Sequence, residues 1–203
     1  KREEKINTQQ NTLLDSLKIA LSSSIRSNLL ERLGEQKIFI FILHRQENLL
    51  RASLVRFLIH GVLDISKNMK CIFVLHRLTE VTLRKLHLLE NLQKNPNIIL
   101  TPRLQYIEFM HLLEKSEFLI TDGGSNQEEC SYLGKPCLVL RKTTERIEGL
   151  HKNVVLGYND LSIMQKFMRE YPKYSFPRIP FEGSPSKIIV DTLLEKIQKM
   201  HLK

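Results

Sequence analysis

Between residues 37 and 140 the chain alternates short, almost continuously apolar runs with longer stretches whose leucines recur every three to four residues. A strand that is apolar on both sides has to be covered on both sides, so this alternation specifies a parallel sheet flanked by helices rather than a sandwich, a barrel or a bundle. Five strands are expected, over Lys37–Leu43, Lys70–Leu75, Asn97–Leu100, Glu117–Thr121 and Pro136–Leu140, all rich in Ile, Val, Phe and Leu. Helices are expected between them. Glu47–Ser66 gathers Leu50, Leu54, Phe57, Leu58 and Val62 on one face, and Glu80–Gln93 does the same with Leu83, Leu86, Leu89 and Leu92. Tyr106–Lys115, Gln127–Leu133, Asn159–Glu170 and Ser184–Met200 complete the set, the last opening on Ser184 and Pro185 at its N-cap and first helical position. Tyr171–Gly183, with three prolines, reads as a crossing loop. Residues 1–36 have helical character over Leu13–Leu33 without strand rhythm and are expected to be a linker or interdomain helix region. That divides the chain into 1–36, a Rossmann-like unit over 37–183, and a C-terminal helix over 184–203.

At 203 residues the chain is sized for one well-buried domain. With 42% hydrophobic and 26% charged residues it has the composition of an ordinary globule, neither disordered nor collagen-like. The longest apolar run, Ile38–Leu43, is far shorter than the roughly 20 residues of a membrane helix. Lys1-Arg2-Glu3-Glu4-Lys5 has no apolar signal core behind it and no initiating Met, and reads as part of something longer. Cys71, Cys130 and Cys137 form no C-x-x-C pair, so reduced structural cysteines of a cytoplasmic protein are expected, without disulfide or zinc. A formal charge of +9 draws attention to polyanions. A nucleic-acid module would interleave aromatics with its Lys and Arg. Here Tyr132, Tyr158, Tyr171 and Tyr174 are scattered and Trp is missing, which disfavours that reading.

In an open α/β sheet, ligands bind beyond the carboxyl ends of the strands. His44-Arg45-Gln46-Glu47-Asn48 follows the first strand, His76-Arg77 the second, Asp122-Gly123-Gly124-Ser125-Asn126-Gln127-Glu128-Glu129 the fourth, and Arg141 through Arg146 the fifth. A Gly-Gly-Ser turn opening a helix lets backbone N–H groups approach a diphosphate, although any sharp strand-to-helix turn also selects glycine. Glu128 and Glu129 suit either a helix's first turn or the hydroxyls of a ribose. Each strand-end histidine alone reads as a loop residue or a catalyst. Two His-Arg pairs converging on one crevice would repel unless an anion lay between them. Arg141 and Arg146 would join that anion site or pair with Glu145 and Glu148 on the surface. No metal-binding spacing of histidines, no P-loop, no G-x-S-x-G elbow and no G-x-G-x-x-G fingerprint is present.

The order of these motifs resembles the C-terminal half of the UDP-N-acetylglucosamine 2-epimerase family, from about Asn11 onward. The resemblance is carried by His44-Arg45-x-Glu47-Asn48, Val74-x-His76-Arg77, Tyr106-x-x-Phe109, Thr121 through Glu129, and Leu133 through Gly149 with its Thr144-Glu145-Arg146. It implies one of two Rossmann-like domains facing each other as in B-type glycosyltransferases. It also implies C2 epimerisation of a UDP-N-acetylhexosamine by elimination and re-addition of UDP, or a hydrolysing variant releasing N-acetylmannosamine, with no external cofactor. By the same resemblance His44 is the functional histidine near the diphosphate, and Gly123, Gly124 and Ser125 form the pyrophosphate turn. Glu129 would take the ribose hydroxyls and Arg146 would line the nucleotide cleft, with Leu104 (through its backbone) and Phe109 holding uracil. The family's acids for C2 belong to its N-terminal domain, so the chain alone is expected to bind UDP weakly and turn over nothing. Family likeness further implies a homodimer when full length and a role in polysaccharide precursors. The apolar face of the last helix, with Ile188, Ile189, Leu193, Leu194 and Ile197, is expected to reach toward the N-terminal domain. Departures are Gly123-Gly124-Ser125 for the usual Ser-Gly-Gly, Ile147 for Pro, Leu78 for Asn, and a loose match over Phe181–Ser184. The neighbouring alternative is the nucleotide half of a B-type glycosyltransferase.

Overall fold

The computed structural model describes residues 5–157, 160–180 and 182–201. Tyr158, Asn159 and Phe181, and the charged residues before Lys5, lie outside them. Six strands, β1 (Ile38–Ile42), β2 (Lys70–Leu75), β3 (Ile98–Pro102), β4 (Phe118–Thr121), β5 (Cys137–Val139) and β6 (Val154–Leu156), form one fully parallel sheet in the order β3-β2-β1-β4-β5-β6. The expected strands are present, and β6 is an addition. It is only three residues long, at the sheet edge between a buried Asn153 and Gly157, too short to show a period in the sequence.

Alternation along β1 separates two cores. Phe39, Phe41 and Leu43 point to one face, and Ile38, Ile40 and Ile42 to the other. The first face is covered by α4 (Ala52–Ile65), α5 (Arg77–Lys85), α6 (Leu89–Lys94) and α9 (Leu161–Glu170), through residues such as Leu58, Leu83, Leu92 and Phe167. Phe39 stacks on Phe118 with ring centroids 5.2 Å apart. The second face is covered by α1 (Leu13–Ser22), α2 (Asn28–Leu33), α7 (Tyr106–Lys115) and α8 (Gly124–Leu133). Leu14, Leu17 and Ala20 of α1 are completely or almost completely buried there.

Two of the expected helices are broken. Glu47–Ser66 divides into α3 (Gln46–Leu49) and α4, and Leu50 at the break is 76% exposed rather than in the apolar stripe. The stretch from residue 80 to 93 divides into α5 and α6 at His87, whose φ of +55° cannot continue a helix. The helix expected at Gln127 begins a turn earlier, at Gly124. Within the crossing loop Tyr171–Tyr174 forms a 3₁₀ turn, after which Phe176 and Ile179 donate to the carbonyls of Gly134 and Tyr132. α10 (Pro185–His201) begins at Pro185 with the Ser184 hydroxyl accepting from Lys187 N, and Asp15 of α1 accepts from Ser186 N at 2.8 Å. No helix among the described residues is long and apolar enough to cross a membrane.

Candidate functional site

Strand order reverses between β1 and β4, because β2 and β3 lie on one side and β5 and β6 on the other. The connections that follow β1 and β4 pass to opposite faces of the sheet, which opens a crevice at the carboxyl ends of these strands. It holds a cleft of about 660 Å³. His44, Leu104, Phe109, Gly123, Gly124, Ser125, Glu129 and Arg146 all line it, so the residues singled out from four separate segments share one wall. His76 and Arg45 line it as well, but Arg77 does not. Arg141 is turned away, paired with Glu145 at 2.8 Å and facing a smaller cavity with Glu47, Arg51 and Lys142. A cavity of similar volume lies between α4 and α9, lined by Phe57, Met69, Met164 and Met168, and contains none of the strand-end residues.

The floor of the cleft is set by Asp122, which is fully buried one residue after β4. It accepts from the backbone N–H groups of His44 (3.1 Å) and Arg45 (2.8 Å) and from Asn48 Nδ2 (3.1 Å), and His44 Nδ1 lies 2.9 Å away. Burial pushes this carboxyl's pKa up, but the donors from His44, Arg45 and Asn48 outweigh it and leave the group below its ordinary value. The His44 ring stacks on His76 with centroids 4.8 Å apart. Burial, followed by the charges of His44 and Arg103, lowers the His76 pKa.

The Gln127-Glu128-Glu129 run divides its labour by direction around α8. Gln127, fully buried, donates to the carbonyls of Arg146 and Glu148, both at 3.0 Å, and accepts from the Thr144 hydroxyl at 2.8 Å, which clamps the loop carrying Arg146 onto the helix. Glu128 forms an ion pair with Arg146 and accepts from Asn11 Nδ2. Arg146 thus pairs with a helix carboxylate, not with Glu145 or Glu148 as a surface reading would have it. Glu129 is 3% exposed and accepts from Asn126 Nδ2 at 2.9 Å. Burial drives its pKa up to about 7, against the pull of Asn126 and Tyr106. Burial and the nearby Glu129 charge raise the Tyr106 hydroxyl in turn.

Both turn glycines have ordinary backbone angles and stand in crowded places. A Cβ on Gly123 would stand 2.6 Å from Asn126 Oδ1, and one on Gly124 2.9 Å from Arg146 Nε. A side chain at position 123 would therefore require Asn126 to move. The first residues of α8 line the cleft together with Arg45, Arg103 and Arg146, a setting that favours an anion. Arg103 was not singled out from the sequence, and Asp122, Tyr106 and Asn126 stood there only as members of motifs, with no role of their own. Among the described residues no three His, Cys, Asp or Glu side chains are grouped to hold a metal ion. The three cysteines are free and buried.

A family model described as UDP-N-acetylglucosamine 2-epimerase matches residues 1–177. Enzymes of that name from Methanococcus maripaludis and Bacillus subtilis are 31% and 30% identical to the chain over 93% and 96% of it. The chain spans about half the length of each, 54% and 53%. Among solved structures, the Neisseria meningitidis UDP-GlcNAc 2-epimerase bound to UDP-GlcNAc superposes with a TM-score of 0.76 at 27% identity, covering 91% of this chain and 54% of that one. The Methanocaldococcus jannaschii enzyme in complex with UDP-GlcNAc and UDP gives 0.73, also at 27% identity, over 92% and 53%. The sheet and its helices are accordingly the Rossmann-like C-terminal half of a glycosyltransferase-B-like fold. Since the family model takes in most of its residues, the chain belongs to the UDP-N-acetylglucosamine 2-epimerase family.

Proposed function

We propose that this chain is the UDP-binding half of a UDP-N-acetylglucosamine 2-epimerase. The observation that carries the reading is the convergence of His44, Arg146 and the start of α8 on one cleft that Glu129, Leu104 and Phe109 also line. The diphosphate would lie against the N–H groups of Gly124 and Ser125, with Arg146 and the His44 ring as further donors. Glu129 would accept the ribose hydroxyls, while the Leu104 backbone and Phe109 hold the uracil.

In the reaction a base removes the C2 proton, the C1–O bond breaks with its electron pair passing to UDP, and re-addition with protonation on the other face inverts C2. The negative charge gathering on the departing diphosphate is what His44, Arg146 and the helix start stabilise. The groups that move the C2 proton must lie within hydrogen-bond reach of it, and we assign them to the N-terminal half of the family fold. On this reading residues 37–183 form the nucleotide unit, with 1–36 leading into it and 184–203 reaching toward that other half. The complete enzyme would be a cytoplasmic homodimer acting on polysaccharide precursors.

The test is calorimetric titration of the chain with UDP. Saturable binding in the high-micromolar range, worth about 5 kcal/mol, is expected, with loss in the His44→Ala, Arg146→Ala double variant. A folded chain that takes up no UDP, alone or within the two-domain enzyme, refutes the assignment. Product analysis on the two-domain enzyme then distinguishes UDP-N-acetylmannosamine from free N-acetylmannosamine, and either from glycosyl transfer.

A further inference from the structure

We infer that Asp122 is a positioning residue of this site, its carboxylate holding the His44 ring by Nδ1 so that Nε2 is presented to the cleft. This rests on the reading of the cleft as a diphosphate site. The carboxylate is fully buried, and the buried His44 Nδ1, which has no hydrogen-bond partner elsewhere, lies 2.9 Å from its Oδ1 as an ion-pair contact whose ring N–H is not aligned on the oxygen. The His44 side chain is 32% exposed and lines the cleft, so one ring nitrogen faces the protein interior and the other faces the space a ligand would fill.

A neutral imidazole has one donor and one acceptor nitrogen, and the partner on one side selects which is which. A carboxylate at Nδ1 accepts only, so the neutral ring carries its proton on Nδ1 and offers a lone pair at Nε2. Once protonated, the same ring donates from Nε2 to an anion while its Nδ1–H remains on Asp122, which balances the charge. The departing diphosphate is an anion of that kind. Asp122 also accepts from the N–H groups of His44 and Arg45, which fixes where the ring begins, and the flat face of His76 restricts its tilt.

A purely architectural role is the competing explanation, since the backbone donors and Asn48 by themselves would tie the end of β1 to the end of β4. The two roles differ in what they do to the ring. Long-range ¹⁵N–¹H correlation spectra of ¹⁵N-histidine-labelled chain, with His44 identified by its loss in His44→Gln, report the tautomer directly. The expected result is the Nδ1–H form of neutral His44 in the parent and a shift toward Nε2–H in Asp122→Asn, where the acceptor is no longer charged. An Nε2–H ring in the parent overturns the proposal even if no variant folds.

The second readout is selectivity. Asp122→Asn should weaken UDP by about tenfold and leave uridine, which lacks the diphosphate, unchanged. Equal losses for both ligands, or none for UDP, assign Asp122 to architecture alone. If UDP does not bind the parent, the diphosphate reading fails separately, and the tautomer still decides whether Asp122 holds the ring.

Discussion

Gly124 shows at the scale of one residue how a turn motif can be right for a reason the sequence does not state. Its backbone is ordinary, and a Cβ there would stand 2.9 Å from Arg146 Nε, so that side chain would have to give way. Gly124→Ala should therefore displace Arg146 and weaken UDP by about tenfold while the melting temperature moves by only a few degrees, checked by titration beside a thermal scan. Glu129 carries a pH dependence whose sign is fixed by burial. With its carboxyl pushed up to about 7, it is protonated in part at neutral pH, and only the ionised form accepts both ribose hydroxyls. Uridine has no phosphate to titrate, and its affinity should rise about tenfold between pH 6 and pH 8, a rise that Glu129→Gln removes. The same group makes the fold less stable as pH rises from its unfolded value of 4.5 to about 7, because the folded state prefers the proton over that window. His44, Glu129 and Arg146 were legible as motif residues. The role of Asp122 within its motif was not, since a carboxylate after a strand looks the same in the sequence whether it meets water or a histidine 78 residues away.

The element that organises the site is α8. Its first residues line the cleft, and its buried Gln127 grips the 144–148 loop by three side-chain hydrogen bonds. Gln127→Ala leaves two part-buried carbonyls without their donor and should cost about 1–3 kcal/mol in urea unfolding. The loop should then exchange its amide hydrogens faster and admit protease at Arg146, and unchanged exchange there would show that the clamp is unimportant. The helical pattern of α8 was readable, but its start was not, because Gly124 and Ser125 carry no apolar period. The break at His87 was equally hidden, since Leu83, Leu86, Leu89 and Leu92 keep helical spacing on either side of it.

At the scale of the whole molecule, α1 is the element whose role the sequence least disclosed. Leu14 and Leu17 are completely buried against α7, α8 and the sheet, and Leu13 reaches the cleft. Leu17→Ala should lower stability by about 2–5 kcal/mol in a single cooperative transition, and a loss below about 1 kcal/mol would mean that α1 is only loosely attached. The opposite behaviour is expected of α10, where Val190, Leu193, Leu194 and Ile197 are about half exposed. If it reaches toward the other half of the enzyme, its amide hydrogens should exchange more slowly in the two-domain protein than in this chain. The sequence by itself determined the parallel α/β class, the main strands and the order of the motifs, because apolar period and turn chemistry are written over a few neighbouring residues. Only the tertiary structure decided that Arg146 pairs with Glu128, that Arg141 is turned away, and that Asp122 lies beneath His44. Those contacts join segments separated by long stretches of chain, and they form because strand order reverses between β1 and β4, a choice made by packing two faces of one sheet at once.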